Sequence, residues 1–426
     1  MMKGWKHDKF KNQIQYKSGY TWSKEQELRT QEPNAVRVLT VTNVQQELDL
    51  KEELYLKDVS EKDKEGKAVS KDWCIAVSSN GNRKRIGNAI FIKDDTDYLF
   101  ASFLTAFRPK PDSDIIPEFF FRWLSSHFIQ ERLTSVSEGT TGLGNLDIRF
   151  LRNLDIYFPD KQVQTSIANM LSKVDEAIAS VQNSIAAAER LKKSLMQNLL
   201  TGKMKPDGTF RTSEEFYIDE KFGKVPVGWE VKRVDDLALR KTEVIDPTKT
   251  NEVFDYIGLE HIISNEFERN GKGMSNETVA LKVKFEKGDI LYGKLRPYLN
   301  KVLIADISGV GSTEFIVLGR NEFTNWVYLN FQLRRFWDFT KSMTAGTQHP
   351  RVSWNDIKRY PIYIPKDIHE MNLISDKIVA LGSFRQSQQQ KIKKTERLKK
   401  SLMQNLLTGK VKINKLINCC GGVKYE

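Results

Sequence analysis

The sequence predicts an α+β fold in which two globular mixed α/β domains are separated by two long coiled-coil helices, related by a pseudo-twofold internal repeat. The first reason is an identical stretch of fifteen residues, ERLKKSLMQNLLTGK, which occupies positions 189–203 and again 396–410. The two copies lie 207 residues apart in a chain of 426. That period is too long for a solenoid repeat and fits a whole domain followed by a helix.

The second reason is the apolar pattern upstream of each identical stretch. Apolar residues recur at alternating intervals of four and three, which is the spacing of a coiled-coil seam. In the first copy they are Ile167, Leu171, Val174, Ile178, Val181, Ile185 and Ala188, and the equivalent positions of the second copy are Ile374, Ile378, Leu381, Arg385, Gln388, Ile392 and Thr395. We interpret the polar residues Arg385 and Gln388 as groups that fix the register or reach solvent.

Each helix is predicted to be about forty residues long, roughly 60 Å. Each should end where Gly202 or Gly409 supplies a left-handed residue. Two such helices in one chain most simply pack on each other, and the residues alone leave the direction of packing open. A plain helical hairpin remains the alternative to a spacer with a binding role.

The first domain is predicted to be residues 1–159. Its predicted strands are 36–44, 73–78, 89–93, 98–107 and 155–159. Pro117 opens a helical stretch, EFFFRWLSSHFIQERL, because proline suits the first turn of a helix. Phe119, Phe120, Trp123 and Leu124 are predicted to be core. The Gly- and Thr-rich segment 137–146 is predicted to be irregular.

The second domain is predicted to be residues 227–365. A polar linker, 204–226, precedes it, and the long helices occupy 160–203 and 366–412, followed by a tail at 413–426. The predicted strands of this domain are 254–262, 289–296, 302–306, 313–318 and 361–365, and an aromatic-rich helix is predicted over 326–339.

Composition narrows the class of partner. The net charge is +12 and the isoelectric point is near 9.3, which favours a polyanionic partner. Three cysteines, Cys74, Cys419 and Cys420, form neither a disulfide framework nor a zinc motif. The N-terminus lacks the apolar core of a signal peptide and no segment has the length of a membrane span, so a cytoplasmic protein is predicted.

The sequence lacks the motifs of the enzymes that would act on DNA or nucleotides. No aminomethyltransferase Asn-Pro-Pro-Tyr motif and no phosphate-binding loop occurs, since Met204 follows Thr201-Gly202-Lys203. The five histidines show no metal-ligand spacing. The chain is therefore predicted to have no catalytic residues, no bound metal and no cofactor of its own.

Polar and basic residues in the predicted turns and loops are the candidate contacts with a polyanionic partner. If that partner is double-stranded DNA, arginine can pair with guanine and asparagine with adenine in a major groove. The alternative is a solvated basic turn for the group around Arg83 and surface charge near a sheet edge for the group around Lys294, and Lys17, Tyr20 and Thr21 are included from their position alone. The candidates are Lys17, Tyr20, Thr21, Asn80, Asn82, Arg83, Lys84, Arg85, Thr140, Thr141, Asn145, Lys294, Arg296, Tyr298, Lys301, Thr347, Gln348, His349 and Arg351.

The order of these features resembles the specificity subunit of type I restriction-modification systems. The resemblance rests on a globular domain, a Gly-Thr loop, a strand that ends in proline and a long helix ending in LKKSLMQNLLTGK, all occurring twice. The opening Pro226-Val227-Gly228-Trp229 and the triplet Gly346-Thr347-Gln348 are typical of the same family. The first domain departs from the pattern, because Gly4-Trp5 lacks the leading proline and its Gly139-Thr140 is not followed by glutamine.

The resemblance implies two target recognition domains, each reading one half of a bipartite, asymmetric DNA site. It also implies antiparallel helices that set the gap between half-sites, one methyltransferase subunit docked on each helical repeat, and restriction subunits that join the complex. The methyltransferase subunits would use S-adenosylmethionine, and the restriction subunits ATP and Mg²⁺. The candidate docking residues are Arg190, Lys192, Lys193, Arg397, Lys399 and Lys400.

Two alternatives of other classes remain. A structural coiled-coil interaction protein would show no salt-dependent affinity for DNA. A self-contained modification enzyme would methylate or cut DNA without partner subunits.

Overall fold

The structure, a computed structural model, describes residues 4–45, 47–137, 144–344 and 350–411. The chain divides into two compact units, residues 1–182 with 390–426, and residues 183–389. Each long helix therefore contributes one half to each unit. The first long helix spans Lys161–Leu199 and the second spans Ile368–Leu407, which confirms the prediction of two helices of about forty residues.

A four-stranded antiparallel sheet is the centre of the first unit. Its order is Ile14–Ser18, Leu104–Pro109, Cys74–Val77 and Ala89–Phe91. The other strands of this unit are Lys6–Lys9, Glu27–Leu28, Val36–Leu39, Tyr55–Leu56, Ser79–Asn80, Leu99–Phe100, Gly144–Asn145 and Asp155–Phe158. Besides the long helices, its helices are Phe10–Gln13, Glu61–Lys67, Pro117–Leu124, His127–Ser135 and Ile148–Asn153.

The second unit contains a four-stranded antiparallel sheet of the same design. Its order is Arg240–Lys241, Phe315–Leu318, Ile290–Gly293 and Val302–Ile304. A further five-stranded sheet has the order Val244–Ile245, Lys282–Phe285, Gly309–Ser312, Asp255–Ile257 and Gly273–Met274. The remaining strands are Phe216–Asp219, Gly223–Pro226, Trp229–Arg233 and Pro361–Pro365, and the short helices are Val234–Leu237, Thr324–Phe331, Arg334–Ser342 and Trp354–Ile357.

Each domain ends with an equivalent strand that pairs with the first strand of the same domain. Asp155–Phe158 pairs antiparallel with Lys6–Lys9 at the start of the first domain, and Pro361–Pro365 pairs antiparallel with Trp229–Arg233 at the start of the second. In each case the closing strand leads into a long helix. The repeat seen in the sequence therefore extends to the topology of both domains, although their side chains differ.

Helix packing is antiparallel within each unit. In the first unit, Ile167 and Leu171 share a buried core with Met403 and Leu407, and further along the first helix Asp175 pairs with Lys399. In the second unit, the seam residue Arg385 pairs with Glu189 at 3.4 Å, and Leu200 shares a core with Ile374. Increasing residue numbers in one helix thus face decreasing numbers in the other.

Arg385 is the centre of a cluster of salt bridges in the second unit. Its guanidinium also lies 3.1 Å from Glu266 and 3.5 Å from Glu268, and its side chain is largely buried. Of the three carboxylates, only Glu189 lies on the facing long helix. A shift of the helix would leave a largely buried charge without these partners, which supports the interpretation of Arg385 as a register-fixing residue. That interpretation stays a prediction.

Several element predictions are confirmed and others are wrong. Phe119, Phe120, Trp123 and Leu124 are all buried in the core. The strand predicted over 36–44 ends at Leu39, because Val41–Asn43 forms a 3-10 turn held by the Asn43 side chain. The single helices predicted at 117–133 and 326–339 are each broken into two.

The segment 204–226, predicted to be a polar linker, contains regular structure. Phe216–Asp219 and Gly223–Pro226 form an antiparallel hairpin. Upstream, Arg211 forms a salt bridge with Glu370 at 2.7 Å and lies 5.4 Å from the ring of Trp229. Trp229 itself is fully buried. The sequence shows no periodicity here because polar side chains of this segment form their contacts with residues distant in sequence.

Candidate nucleic-acid interface

In the first unit, the structure brings the basic turn 80–85 next to the segment that follows the Gly-Thr loop. Asn80 and Ser79 pair antiparallel with Gly144 and Asn145, and Leu146 N donates a hydrogen bond to the Ser78 carbonyl oxygen at 2.8 Å. Residues 144–145 were predicted to be irregular, and this short strand corrects that prediction. Two candidate groups more than sixty positions apart thus form one surface.

Side chains of this surface differ in their exposure to solvent. Asn82, Arg83, Lys84 and Asn145 are exposed, and the Asn82 side chain caps the short 3-10 helix by accepting a hydrogen bond from Lys84 N. Arg85 is committed to its own domain, because Nη2 donates hydrogen bonds to the Val41 and Val44 carbonyl oxygens at 3.0 and 2.6 Å. These hydrogen bonds attach the turn to the segment that contains Val41 and Val44.

The second unit repeats this arrangement with different side chains. Leu295 bridges to Arg351, Arg296 N donates to the Pro350 carbonyl oxygen at 2.8 Å, and Val352 N donates to the Lys294 carbonyl oxygen at 3.2 Å. The turn after the central strand is again joined to the segment after the Gly-Thr loop. Candidate residues of both groups therefore lie on one surface here as well.

The turn of the second unit has a strained backbone. Arg296 and Asn300, at φ of 52° and 43°, adopt the left-handed conformation on either side of the 3-10 turn Pro297–Leu299. Left-handed conformations cost non-glycine residues energy and are concentrated at functional sites. Trp337 Nε1 donates a hydrogen bond to the Tyr298 carbonyl oxygen at 2.8 Å. This bond holds the turn so that Arg296 and Tyr298 are exposed.

Two other candidates of this surface already have protein partners. Lys301 Nζ donates to the Leu259 carbonyl oxygen at 2.6 Å, and burial lowers the pKa of Lys301. Arg351 forms a salt bridge with Glu314 at 3.1 Å, although both side chains keep partial access to solvent. Lys301 thus supports the turn, whereas Arg351 remains at the surface.

Comparison with known proteins identifies the family. A family model described as the type I restriction modification DNA specificity domain matches residues 2–190 and again residues 226–397, which together make up most of the chain. The chain belongs to this family. The two matches correspond to the two copies of the repeat.

Individual relatives agree with this assignment. The EcoDI type I restriction enzyme specificity subunit of Escherichia coli is 23% identical over 240 residues, which cover 50% of this chain and 52% of that protein. The chain thus matches about half the length of this relative. The putative MjaX specificity subunit of Methanocaldococcus jannaschii is 20% identical over 369 residues, which cover 80% of this chain and 78% of that protein.

Solved structures show the same fold. The S subunit of a type I restriction-modification system from M. genitalium superimposes with a TM-score of 0.59 at 15% identity, covering 94% of this chain and 96% of that one. A chain from a study of complex assembly and conformational transition of the type I restriction-modification system gives 0.51 at 12% identity, covering 95% and 97%. At these identities the likeness establishes the fold alone.

The N-terminal candidates of this member of the specificity family are Lys17, Tyr20 and Thr21. Lys17 and Tyr20 contact other residues of the first domain. Lys17 Nζ donates to the Ala68 carbonyl oxygen at 3.0 Å and lies 5.0 Å from the ring centroid of Trp73. Burial, and then the charge of Arg108, lower the pKa of Lys17. Tyr20 N donates to the Phe100 carbonyl oxygen, and Thr21 is exposed.

Arg108 is a basic residue that the sequence did not single out. Its guanidinium lies 4.7 Å from the ring centroid of Trp73, on which Lys17 also rests. Two cations on one tryptophan make a concentrated positive surface. Arg108 sits in an apolar strand pattern, so only its spatial proximity to Lys17 reveals it.

Five other candidates, Thr140, Thr141, Thr347, Gln348 and His349, lie outside the described residues.

The candidate docking residues of the specificity family divide into two groups. Arg190, Lys193, Arg397 and Lys400 are exposed on their helices. Lys192 and Lys399 are less exposed. Lys399 pairs with Asp175 on the facing long helix at 2.5 Å, whereas Lys192 Nζ donates to Gln332 Oε1, which follows the short helix Thr324–Phe331, at 3.1 Å. The identical sequence therefore presents two cations per copy outward and one inward.

An exposed leucine accompanies these outward cations in both copies. Leu191 is 50% exposed and Leu398, its equivalent, is 54% exposed. Sequence reasoning missed this pair, although an apolar residue outside the heptad seam in an unchanged repeat was a usable signal. A single exposed leucine is ordinary, so the informative feature is its recurrence at the equivalent position of both copies.

The described part of the chain contains neither a candidate membrane span nor a candidate metal site. No helix there is long and apolar enough to cross a membrane. Nor does that part hold a group of three or more His, Cys, Asp or Glu side chains arranged to bind a metal ion.

Proposed function

We propose that this chain is the non-catalytic DNA-reading subunit of a type I restriction-modification complex, in which each globular domain reads one half of a bipartite, asymmetric site. One observation carries the proposal. In both domains, the turn after the central strand pairs with the segment after the Gly-Thr loop. The exposed side chains on this shared scaffold differ between the domains. They are Asn82, Arg83 and Asn145 in the first domain and Arg296, Tyr298 and Arg351 in the second. One scaffold with two sets of side chains suits two unequal half-sites.

The chemistry of these side chains supports base reading. Arginine forms bidentate hydrogen bonds with guanine, asparagine does so with adenine, and the surrounding lysines contact phosphates. Lys301 and Arg85 already hold their turns through backbone carbonyl oxygens, so the proposal gives them a supporting role. Exposed side chains would then read the bases, and the partly buried cations Arg85 and Lys301 would hold the turns.

The long helices have two roles in the proposal. They set the gap between the half-sites, and they dock methyltransferase subunits, which restriction subunits then join. Exposed Leu191 with Arg190 and Lys193, and exposed Leu398 with Arg397 and Lys400, give two equivalent surfaces. Two equivalent surfaces suit two copies of one partner.

Replacement of one domain tests the proposal. Residues 229–365 are exchanged for the corresponding domain of another specificity subunit, and adenine methylation is mapped across the genome of cells that carry the complete system. We expect one half of the methylated motif to change and the other half to stay the same. A change in both halves, or methylation that persists after deletion of the gene, would contradict the proposal.

Salt dependence separates this function from a purely structural role. Affinity for duplex DNA should fall linearly with the logarithm of salt concentration, because phosphate contacts release counterions. A structural coiled-coil protein would show no such DNA binding. A chain that methylates or cuts DNA without partner subunits would instead favour the enzyme alternative.

A further inference from the structure

The second unit contains a basic cavity that the proposed reading of DNA does not use. It has a volume of about 540 Å³ and lies where the end of the first long helix meets the ordered segment 203–226. Its walls include Lys203, Lys224 and Phe210. The volume is within the range of small-ligand sites, roughly 300 to 1,000 Å³.

The charge of this cavity has one sign. Four of its nine lining residues are basic, namely Lys203, Arg211, Lys224 and Arg335, and none of the nine, all of them in the described ranges, is acidic. Arg211 is neutralised by Glu370 at 2.7 Å. The three remaining cations have no salt bridge within the described part of the chain. A multiply charged anion would balance them.

Arg335 has an unused donor within this wall. Its Nη2 donates to Asn330 Oδ1 at 2.7 Å, and its guanidinium lies 4.9 Å from the ring centroid of Tyr363. Its Nε atom is buried and has no hydrogen-bond partner. A buried donor without a partner costs free energy, and an anion reaching it would remove that cost.

An aromatic side chain is exposed at the same cavity. Phe210 is 65% exposed, and Phe216 and Tyr363 also line the wall. Flat aromatic rings beside arginine and lysine form the combination that binds nucleotides, since the cations contact phosphate and a base stacks on a ring. A carboxylate-bearing ligand would use the cations but leave the exposed ring uncovered.

We infer that this cavity binds a phosphate ester with an attached base, supplied either by a free mononucleotide or by a backbone phosphate of nucleic acid. Lys203, Lys224 and Arg335 contact the phosphate from either source. Phe210 stacks on the base of a free mononucleotide, because the bases of a duplex are paired and stacked on one another. The inference is independent of which domain reads which half-site, because none of these residues belongs to the proposed reading surfaces.

Calorimetric titration of the full chain tests this site with two probes, adenosine 5′-monophosphate and a short duplex of random sequence. The test variant is Lys203→Glu/Lys224→Glu, and both substituted residues are exposed. The control variant is Lys366→Glu/Lys410→Glu, which changes the net charge equally at exposed positions that are not among the residues lining the cavity. Lys410 is the repeat equivalent of Lys203. Circular dichroism and thermal melting confirm that each variant is folded.

The outcomes distinguish the sources of phosphate. If the mononucleotide binds, we expect the test variant to weaken it about tenfold or more and the control to leave it unchanged, and Phe210→Ala to weaken it while inorganic phosphate binds as before. If only the duplex binds, its affinity should fall more in the test variant than in the control, which assigns the site to backbone phosphate. Equal behaviour of the two variants towards both probes would overturn the inference.

Discussion

Lys399 Nζ lies 2.5 Å from the carboxylate of Asp175 on the facing helix. Its equivalent in the identical first copy, Lys192, faces Gly382 at the corresponding position and has no such carboxylate. Lys192 instead donates to Gln332 and lies 5.8 Å from the ring centroid of Phe267. One residue type in one unchanged sequence is therefore a salt-bridge partner in one unit and a largely buried cation in the other.

The first prediction concerns these two lysines. Lys399→Met should lower the free energy of unfolding by about 1 kcal/mol, because a partly buried ion pair is lost. The loss stays small because Asp175 keeps its salt bridge with Arg122. Lys192→Met should leave stability unchanged or raise it, because an incompletely paired cation is replaced by an apolar side chain of similar length. Urea denaturation measures both, and an equal loss in the two variants would contradict the structure.

The second prediction is a pH dependence. Burial, and then the charge of Arg385, lower the pKa of Lys192 below 10.5, while Glu268 and Glu189 oppose the shift. Below its folded-state pKa, Lys192 is protonated in both states and its cost is fully present. As the pH rises from the folded-state pKa towards 10.5, the folded protein loses the proton first and the cost declines.

Unfolding free energies of the wild type and Lys192→Met should therefore converge as the pH rises. Denaturation at about pH 7.5 and about pH 10 measures the difference. A difference that grows over this interval would show that burial is not the dominant cause of the shift.

The third prediction concerns the glycine at the end of the first long helix. Gly202 has a φ of 66°, and a Cβ atom there would lie 2.2 Å from Pro226 Cγ. Gly208 has a φ of 94° with no atom within 4 Å of such a Cβ. Gly208→Ala should cost about 1 to 2 kcal/mol for the left-handed conformation alone. Gly202→Ala should cost more, and equal unfolding midpoints for the two variants would disprove the close contact.

The fourth prediction concerns base reading. Arg83→Ala and Arg296→Ala should each weaken binding to the cognate site by about 1 to 3 kcal/mol if each arginine pairs bidentately with a guanine. Each variant should relax the sequence preference in one half-site only. Arg359→Ala, which removes an exposed arginine elsewhere in the second domain, is the control. Affinities are measured against a panel of single-base substitutions, and an unchanged affinity in either variant would exclude that contact.

The fifth prediction concerns partner docking. Leu191→Glu and Leu398→Glu should each remove one methyltransferase subunit from the complex, and the double variant should remove both. Leu373→Glu is the control, because Leu373 is an exposed leucine of the second long helix whose repeat equivalent is Ser166. Native mass spectrometry gives the subunit count. Loss of partner from the control as well would point to a general effect of the added charge.

Local patterns in the sequence accounted for the helices and for the repeated domain. An identical stretch of fifteen residues and a heptad of apolar residues are redundant signals, so a few polar intrusions such as Arg385 leave the helix intact. The exposed positions of the turn 80–85 were predictable for a similar reason, because the Asn-Gly sequence there is typical of a tight turn. Predictions of this kind need only residues that are close in sequence.

The contacts of individual polar side chains could be identified only from the tertiary structure. Arg85 and Lys301 are basic residues of the type that contacts DNA. Each nevertheless donates hydrogen bonds to backbone carbonyl oxygens from another part of its own domain. Likewise the polar stretch before Trp229 gave no periodic signal, because its order comes from Glu370 and from hairpin pairing. Polar contacts between distant residues leave no local pattern.

The sequence by itself determined that this protein contains two copies of a domain and helix, since duplication and heptad spacing are written in consecutive residues. Only the tertiary structure decided what each copy does with its residues. Lys192 and Lys399 belong to identical sequences, but a glycine faces one and an aspartate the other. The partner of a side chain depends on the facing element, and that element is specified elsewhere in the chain.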